Sequence, residues 1–416
     1  MSYLRVRGNR PLWGAYTVPA AKNAVLPLLA ACVLIEDEVV LEACPHLSDI
    51  EAMLTILRDL GANAAFEGDR IRVDCRRLSK AECISPLAGC MRSSLFLLGG
   101  LLGRFGKAVL GYPGGCVIGA RPIDIHLSGL AAMGVEYSIQ EDRLHCWATA
   151  PKGAEFRLAY PSVGATVNLV CFAVSLSGES VLENVAVEPE VIDLLHFLQK
   201  AGADLRQEGR RIVVRGGRAL HGVRYRPVGD RIVAATVVAA TAAVGGEVAV
   251  AGVSAEHCEA LINKIAKSSC AVNAGCDRIQ VRSDGRPQAF SCTTGPYPAF
   301  ATDMQALALA YDSMATGQGI ICERVFESRF ALARELAKMG ADIQVTGRTA
   351  VVRGRRLVGA NTTCCDLRAG AALVMAALGA EGVSTIDNIG LIDRGYERIE
   401  QIFASLGADI ERLDER

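Results

Sequence analysis

A hydrophobic-Gly-Ala type of turn recurs along this chain at intervals of about 70 residues, and it constrains the fold more than any other feature. The copies are Leu60-Gly61-Ala62, Met133-Gly134-Val135, Ala201-Gly202-Ala203, Met339-Gly340-Ala341 and Leu406-Gly407-Ala408, with Ser269-Cys270-Ala271 as a degenerate fourth. Each follows a helix-like stretch. The first five run into alternating segments such as Arg70-Ile71-Arg72-Val73 or Arg211-Ile212-Val213-Val214. Glycine suits the left-handed position that ends a helix, and the alternation suits a half-buried strand. The pattern predicts six α/β units. With 416 residues the chain exceeds one ordinary core, so two domains of three units are expected, spanning 21–229 for the first and 1–20 with 230–416 for the second. A solenoid is the alternative arrangement. The helical parts, such as Val237 to Val244 and Ala371 to Leu378, are apolar nearly all round. They belong inside, with sheets as the outer wall.

A net charge of −1 implies no polyanion-binding surface and no nucleic acid partner. Any anion site must be a local cluster of Arg and Lys. The 15 cysteines are odd in number and lack a C-x-x-C pair, which argues against a disulfide framework or a metal site. The N-terminus has no apolar signal-peptide core. Ala24 to Ile35 is apolar but short and contains Pro27, so it reads as a buried helix and not a membrane span. The chain is expected in the cytoplasm.

Several helix starts carry groups suited to anions. The loop Gly111-Tyr-Pro-Gly-Gly-Cys116-Val-Ile-Gly-Ala-Arg121-Pro122 sets one thiol among glycines, with Asp124 and His126 behind it; a nearby cation favours thiolate character. Lys22-Asn23 opens an apolar helix, where a lysine faces an anion or snorkels to water. Arg92-Ser93-Ser94 and Ser162-Val163-Gly164 open others and suit phosphate or carboxylate. Glu188 and Glu190 match the helix dipole and read as mostly structural. Asp230-Arg231 falls at the midpoint, as a hinge or a substrate contact. Asp303 reads as an N-cap or a general base. Arg329, Asp366-Leu367-Arg368 and Asp393-Arg394, each taken alone, are ordinary surface pairs. Together, Lys22, Arg92, Arg121 and Arg394 suit a small, multiply charged anion if the repeats converge on one cleft.

The motifs Ala21-Lys22-Asn23, Pro113-Gly-Gly-Cys116-x-Ile-Gly-Ala-Arg121-Pro122, Ser162-Val163-Gly164-Ala165-Thr166, Thr302-Asp303-Met304-Gln305 and Ile392-Asp393-Arg394-Gly395-Tyr396-Glu397-Arg398 stand in order along the chain. On them, the chain resembles the enolpyruvyl transferases that act on UDP-N-acetylglucosamine. The resemblance implies a two-domain inside-out α/β barrel of six βαβαββ-type units, with the active site in the interdomain cleft. It implies enolpyruvyl transfer from phosphoenolpyruvate to the 3′-hydroxyl of UDP-N-acetylglucosamine, the first committed step of peptidoglycan synthesis, with no metal, organic cofactor or obligate protein partner. It further implies phosphate and carboxylate binding by Lys22, Arg92, Arg121 and Arg394. Asp303 becomes the base for the sugar hydroxyl, and Cys116 the fosfomycin-sensitive thiol that serves as general acid or aids product release. Asn23, Arg329, Asp366 and Arg368 fall on the sugar side; Arg121, Pro122, Asp124, His126, Ser162, Val163 and Gly164 fall on the uridine-diphosphate side. Glu188, Glu190, Asp230 and Arg231 are implied to support the site.

Three positions depart from the family pattern: Ala20, Tyr160 and Val233. The last two motivate an alternative, a paralogous transferase for another nucleotide sugar. A non-catalytic sensor is a third reading, disfavoured because both proton-transfer candidates, Cys116 and Asp303, are present.

Overall fold

A computed structural model describes residues 2–84, 91–112, 119 and 122–414. Among them the strands form six four-stranded sheets with one shared topology. In each, an edge strand runs parallel to the second strand, and the third and fourth follow antiparallel. The sheet built on Gly246–Ala251 is representative. Val250 pairs in parallel with Tyr16 and antiparallel with Ile279, and Val272 pairs with Val281 on the far side. The connections read β-α-β-α-β-β. For example, Glu155–Arg157 leads to helix Val163–Ser175, strand Gly178–Glu183, helix Pro189–Lys200 and the hairpin Asp204–Glu208 with Arg211–Gly216. The six-unit α/β reading therefore stands. The wall is a set of separate four-stranded sheets and no continuous hydrogen-bonded barrel forms among the described residues. Each ladder ends at a strand, such as Asn63–Glu67, that pairs on one side only.

The repeated turn does the work expected of it. Gly61, Gly134, Gly202, Gly340 and Gly407 all have φ between +86° and +107°. In the degenerate fourth copy Ser269 takes φ +69° instead, at the energetic cost a side chain pays in that region.

The chain divides into two compact units, with boundaries between Pro19 and Ala20 and between Val228 and Gly229. In one unit the helices Arg231–Val244, Gln305–Met314 and Leu367–Gly379 pack on one another; every residue from Arg231 to Ala243 is buried. Its N-terminal strands complete two sheets: Leu12–Thr17 lies beside Gly246–Ala251, and Ser2–Arg7 lies between Val383–Asp387 and Asp409–Asp414. In the other unit helix Leu97–Phe105 crosses helix Val163–Ser175 at Gly99, where a Cβ would run into the Asn168 main chain. A third buried helix, Lys22–Ala31, contains Pro27 and ends in a 3-10 turn, Cys32–Leu34. Strand Val223–Tyr225 returns to pair with Glu38–Leu41, so this unit too is closed by its sequence ends. Sheets cover helices because the helices have no polar face to give to water. Among the described residues no helix is long and apolar enough to cross a membrane.

Candidate functional site

In the unit holding residue 303, buried arginines gather around Asp303. It lies in the 3-10 turn Thr302–Met304 that leads into helix Gln305–Met314. Ala301 holds the cap position, so the N-cap expectation for Asp303 fails. The carboxylate instead turns to two guanidinia. Arg329 Nη2 donates to Oδ1 at 3.0 Å and Arg368 Nη2 to Oδ2 at 2.8 Å. The Arg329 and Arg368 side chains are 4% and 7% exposed. They are not the ordinary surface pairs expected from sequence, because Phe330 and Ala369 beside them anchor both segments in the core. Arg368 is the second residue of helix Leu367–Gly379, and Asp366 caps that helix by accepting from the Arg368 and Ala369 N–H groups. Burial alone would push the Asp303 carboxyl up; the charges of Arg368 and Arg329 outweigh it and hold it well below the usual carboxylate range. The same Asp303 charge raises Arg368 against its own burial. Arg368 also lies 6.0 Å from the Tyr396 ring centroid, and the Tyr396 hydroxyl meets Thr236 Oγ1 at 2.8 Å.

Lys22, the first residue of its helix, is buried, which removes the snorkelling alternative. Its Nζ lies 2.6 Å from Asp49 Oδ2, on the first turn of helix Ser48–Asp59. A lysine here opposes the helix dipole, and the carboxylate offsets that cost. Asn23 follows it, half-buried.

The helix starts expected to hold phosphate share a polar core. Ser162 caps helix Val163–Ser175, its Oγ accepting from Ala165 N. His126, on helix Asp124–Ala132, is buried against Gly164, where a Cβ would stand 3.0 Å from His126 Nε2. Asn168, wholly buried, ties these elements together. Its Oδ1 accepts from Gly99 N at 2.8 Å; its Nδ2 donates to Leu95 O at 3.0 Å and faces His126 Nδ1 at 3.0 Å. Since Nδ2 is the donor, Nδ1 accepts and the ring proton of neutral His126 sits on Nε2, on the Gly164 side. Leu95 belongs to the 3-10 turn Arg92–Phe96, so the same amide joins the turn that carries Arg92 to the helix that opens at Ser162, Val163 and Gly164. Pro122 and Asp124 are exposed beside them. Cys116 and Arg121 lie outside the described residues.

The remaining candidates separate into structural and open roles. Asp230 caps helix Arg231–Val244 through the N–H groups of Ile232 and Val233, and Val233 is core. Arg231 is buried, with its guanidinium 5.6 Å from the Tyr297 ring centroid. Glu188 precedes Pro189 at the start of its helix, and Glu190 is buried in the first turn. Arg394 ends the turn Ile389–Arg394, half-buried, whereas its neighbour Asp393 is bound by Arg412 at 2.7 and 2.9 Å. Sequence reasoning missed Asp49, Asn168 and Glu323. Asn168 had a signal, a lone amide inside an apolar helix. Asp49 had none beyond being an acid in a helix first turn.

Comparison with known proteins agrees with this architecture. The chain matches the family described as EPSP synthase (3-phosphoshikimate 1-carboxyvinyltransferase) over residues 6–403. It is 42% identical, over 416 residues, to UDP-N-acetylglucosamine 1-carboxyvinyltransferase 2 of Caldanaerobacter subterraneus subsp. tengcongensis, covering 99% of this chain and 100% of that protein. Among solved structures it is similar in fold to the enolpyruvyl transferase NikO from Streptomyces tendae, with a TM-score of 0.89 at 24% identity over 100% of this chain and 99% of that one. EPSP synthase from Acinetobacter baumannii gives 0.75 at 18%, with 100% of both chains covered. The six matching sheets, the family match and the full-length relative together place the chain in the EPSP synthase family of carboxyvinyltransferases.

Proposed function

We propose that the chain transfers the enolpyruvyl group of phosphoenolpyruvate to the 3′-hydroxyl of UDP-N-acetylglucosamine with release of phosphate, in the cytoplasm, as the first committed step of peptidoglycan synthesis. The observation that carries this is the 42% identity, from end to end, to a relative named for that activity. In the addition step the sugar oxygen bonds to C2 of phosphoenolpyruvate, the hydroxyl proton goes to a base, and C3 gains a proton. The product is a tetrahedral ketal. In the elimination step C3 loses a proton and the C–O bond to phosphate breaks. Lys22, Arg92, Arg121 and Arg394 hold the phosphate and carboxylate charge that this sequence redistributes. Asn23 and Asp366 serve the sugar side. The Ser162–Gly164 helix start with Pro122, Asp124 and His126 serves the diphosphate and uridine. Cys116 supplies the proton at C3 or assists product release. Glu188, Glu190, Asp230 and Arg231 support these elements. The scheme needs no metal, organic cofactor or protein partner.

Asp303 takes the hydroxyl proton, and its surroundings add a condition. With both oxygens held by guanidinia it is a weak base. An anionic substrate competes for Arg329 and Arg368, and a guanidinium drawn toward that substrate leaves Asp303 more basic at the moment the hydroxyl arrives.

A second reading, the same transfer to another nucleotide sugar, is favoured by Tyr160, an exposed aromatic two residues ahead of the Ser162 cap. Val233, buried in a helix start, no longer supports it. Phosphate release from phosphoenolpyruvate with a panel of nucleotide sugars separates the two. The first reading requires UDP-N-acetylglucosamine to give the highest kcat/KM. Preference for a different nucleotide sugar transfers the case to the second, and release with none of them refutes both.

A further inference from the structure

Asp303 and Arg329 lie on separate segments of chain, and one buried acid outside the proposed mechanism joins those segments. Glu323, 1% exposed, follows the strand Gln318–Cys322. Its Oε2 accepts from Thr302 Oγ1 at 2.8 Å, and Thr302 directly precedes Asp303. Its Oε1 accepts from Val325 N at 2.7 Å, Phe326 N at 3.0 Å and Thr294 Oγ1 at 2.8 Å. Thr294 Oγ1 in turn accepts from Arg324 N at 2.9 Å. The Phe326 ring lies 5.3 Å from the Arg329 guanidinium. A carboxylate only accepts hydrogen bonds and has room for four; here it meets four donors. Burying such a group is costly unless its oxygens are satisfied, and these four donors satisfy it. The arrangement is closed and specific: one oxygen fixes the turn that carries Asp303, and the other fixes the start of the loop that carries Arg329.

Resting on the transferase reading above, we propose that Glu323 is a positioning residue for the reaction, setting the place of Asp303 relative to Arg329. A misplacement of about 1 Å at a reacting group costs about 10²-fold in rate. The role predicts a particular pattern among variants. Alanine at 323 releases Thr302 and the Val325–Phe326 amides together. Glutamine keeps most of them, because its oxygen can stand in the place of Oε1 and its amide donates to Thr302 Oγ1.

The test is phosphate-release kinetics with phosphoenolpyruvate and UDP-N-acetylglucosamine for the wild type, Glu323→Ala, Glu323→Gln, Thr302→Val and the Thr302→Val/Glu323→Ala double variant, each with its melting curve. The expected result is a kcat about 10²-fold lower for Glu323→Ala, with KM for phosphoenolpyruvate within about threefold. Glu323→Gln recovers kcat to within about tenfold of wild type, and the effects of Thr302→Val and Glu323→Ala are less than additive. A purely structural role would lower melting temperature and leave kcat per folded molecule unchanged; that result overturns the proposal. Full additivity, or a Gln variant as slow as the Ala variant, overturns it as well. If Glu323→Ala does not fold, Thr302→Val decides: about a tenfold loss of kcat in a normally melting protein supports the assignment, and unchanged kcat refutes it. An inactive wild type refutes the transferase reading itself and this inference with it, whereas an active wild type with an unaffected Glu323→Ala refutes this inference alone.

Discussion

Replacing Asp303 by Asn leaves Arg329 and Arg368 buried with no carboxylate between them. Each guanidinium–carboxylate attraction, at a charge separation near 4 Å, is worth roughly 4 kcal/mol gross in an effective dielectric of about 20. Much of that is offset by the cost of taking the groups out of water; removing one partner of a buried pair costs about 3–5 kcal/mol net, and the lower end applies here because the Asp303 side chain keeps 28% of its surface exposed. For a domain of this size a loss of that order lowers Tm by about 10 °C. The sign with pH follows from Asp303 being held below the usual carboxylate range. A depressed folded pKa contributes stability that is fully present above the unfolded value, near 4, and fades only as pH falls below it. The gap between wild type and Asp303→Asn is therefore flat from about pH 5 to pH 9. The assay is differential scanning fluorimetry across that range, with and without inorganic phosphate. Phosphate raises the melting temperature of Asp303→Asn more than that of the wild type, because it can take the vacated place between the guanidinia. Arg368→Met on the Asp303→Asn background recovers part of the loss. A variant that melts within about 2 °C of wild type, or a double variant less stable than Asp303→Asn, refutes the claim that this triad is a desolvated charge cluster.

Three further outcomes follow from the packing. Asp312 is buried, with Oδ1 accepting from Phe290 N, and burial pushes its carboxyl up to about 7. A raised folded pKa for an acid means stability falls as pH rises from about 4 to about 7. Asp312→Asn removes this dependence and is the more stable protein at pH 8.5, by up to about 4 kcal/mol, with the gap closing toward pH 5 in urea titrations. Gly99→Ala forces a Cβ into the Asn168 carbonyl and costs about 3 kcal/mol or more, whereas Gly390→Ala, with no atom within 4 Å of its Cβ position, changes stability by about 0.5 kcal/mol or less; urea melts compare the two. Asn168→Ala strands the Gly99 N–H and frees His126 Nδ1 to take up the proton. The ring nitrogen NMR shifts of His126 then move away from the Nε2–H pattern, and unchanged shifts contradict the tautomer assignment.

The fold was largely legible in the chain because its local rules agree with its global form. The glycine turns, the alternating hairpins and the all-apolar helices repeat, so each copy supports the reading of the others. The strands that close the units were less legible. Ser2–Arg7 pairs with Asp409–Asp414, and Val223–Tyr225 with Glu38–Leu41, and no local pattern announces a partner at that distance. The site divides in the same way. Helix starts at Lys22 and Ser162 were visible as motifs and Asp230-Arg231 as a charged pair at the midpoint, but the partner of each group was not. Arg368 meets Asp303 across 65 residues and from a different repeat. Asp366 and Asp393 sit beside arginines in sequence, yet one caps a helix and the other binds Arg412. Adjacency in sequence suggested surface pairs, and burial decided otherwise.

The most direct test of the whole account is to incubate the purified protein with phosphoenolpyruvate and UDP-N-acetylglucosamine, then follow inorganic phosphate and the nucleotide sugar together by phosphorus and proton NMR. The account predicts one phosphate released for each sugar converted, with vinyl protons of an enolpyruvyl ether appearing at the 3′-oxygen. Phosphate released without the ether, or an unchanged mixture from well-folded protein, would contradict it.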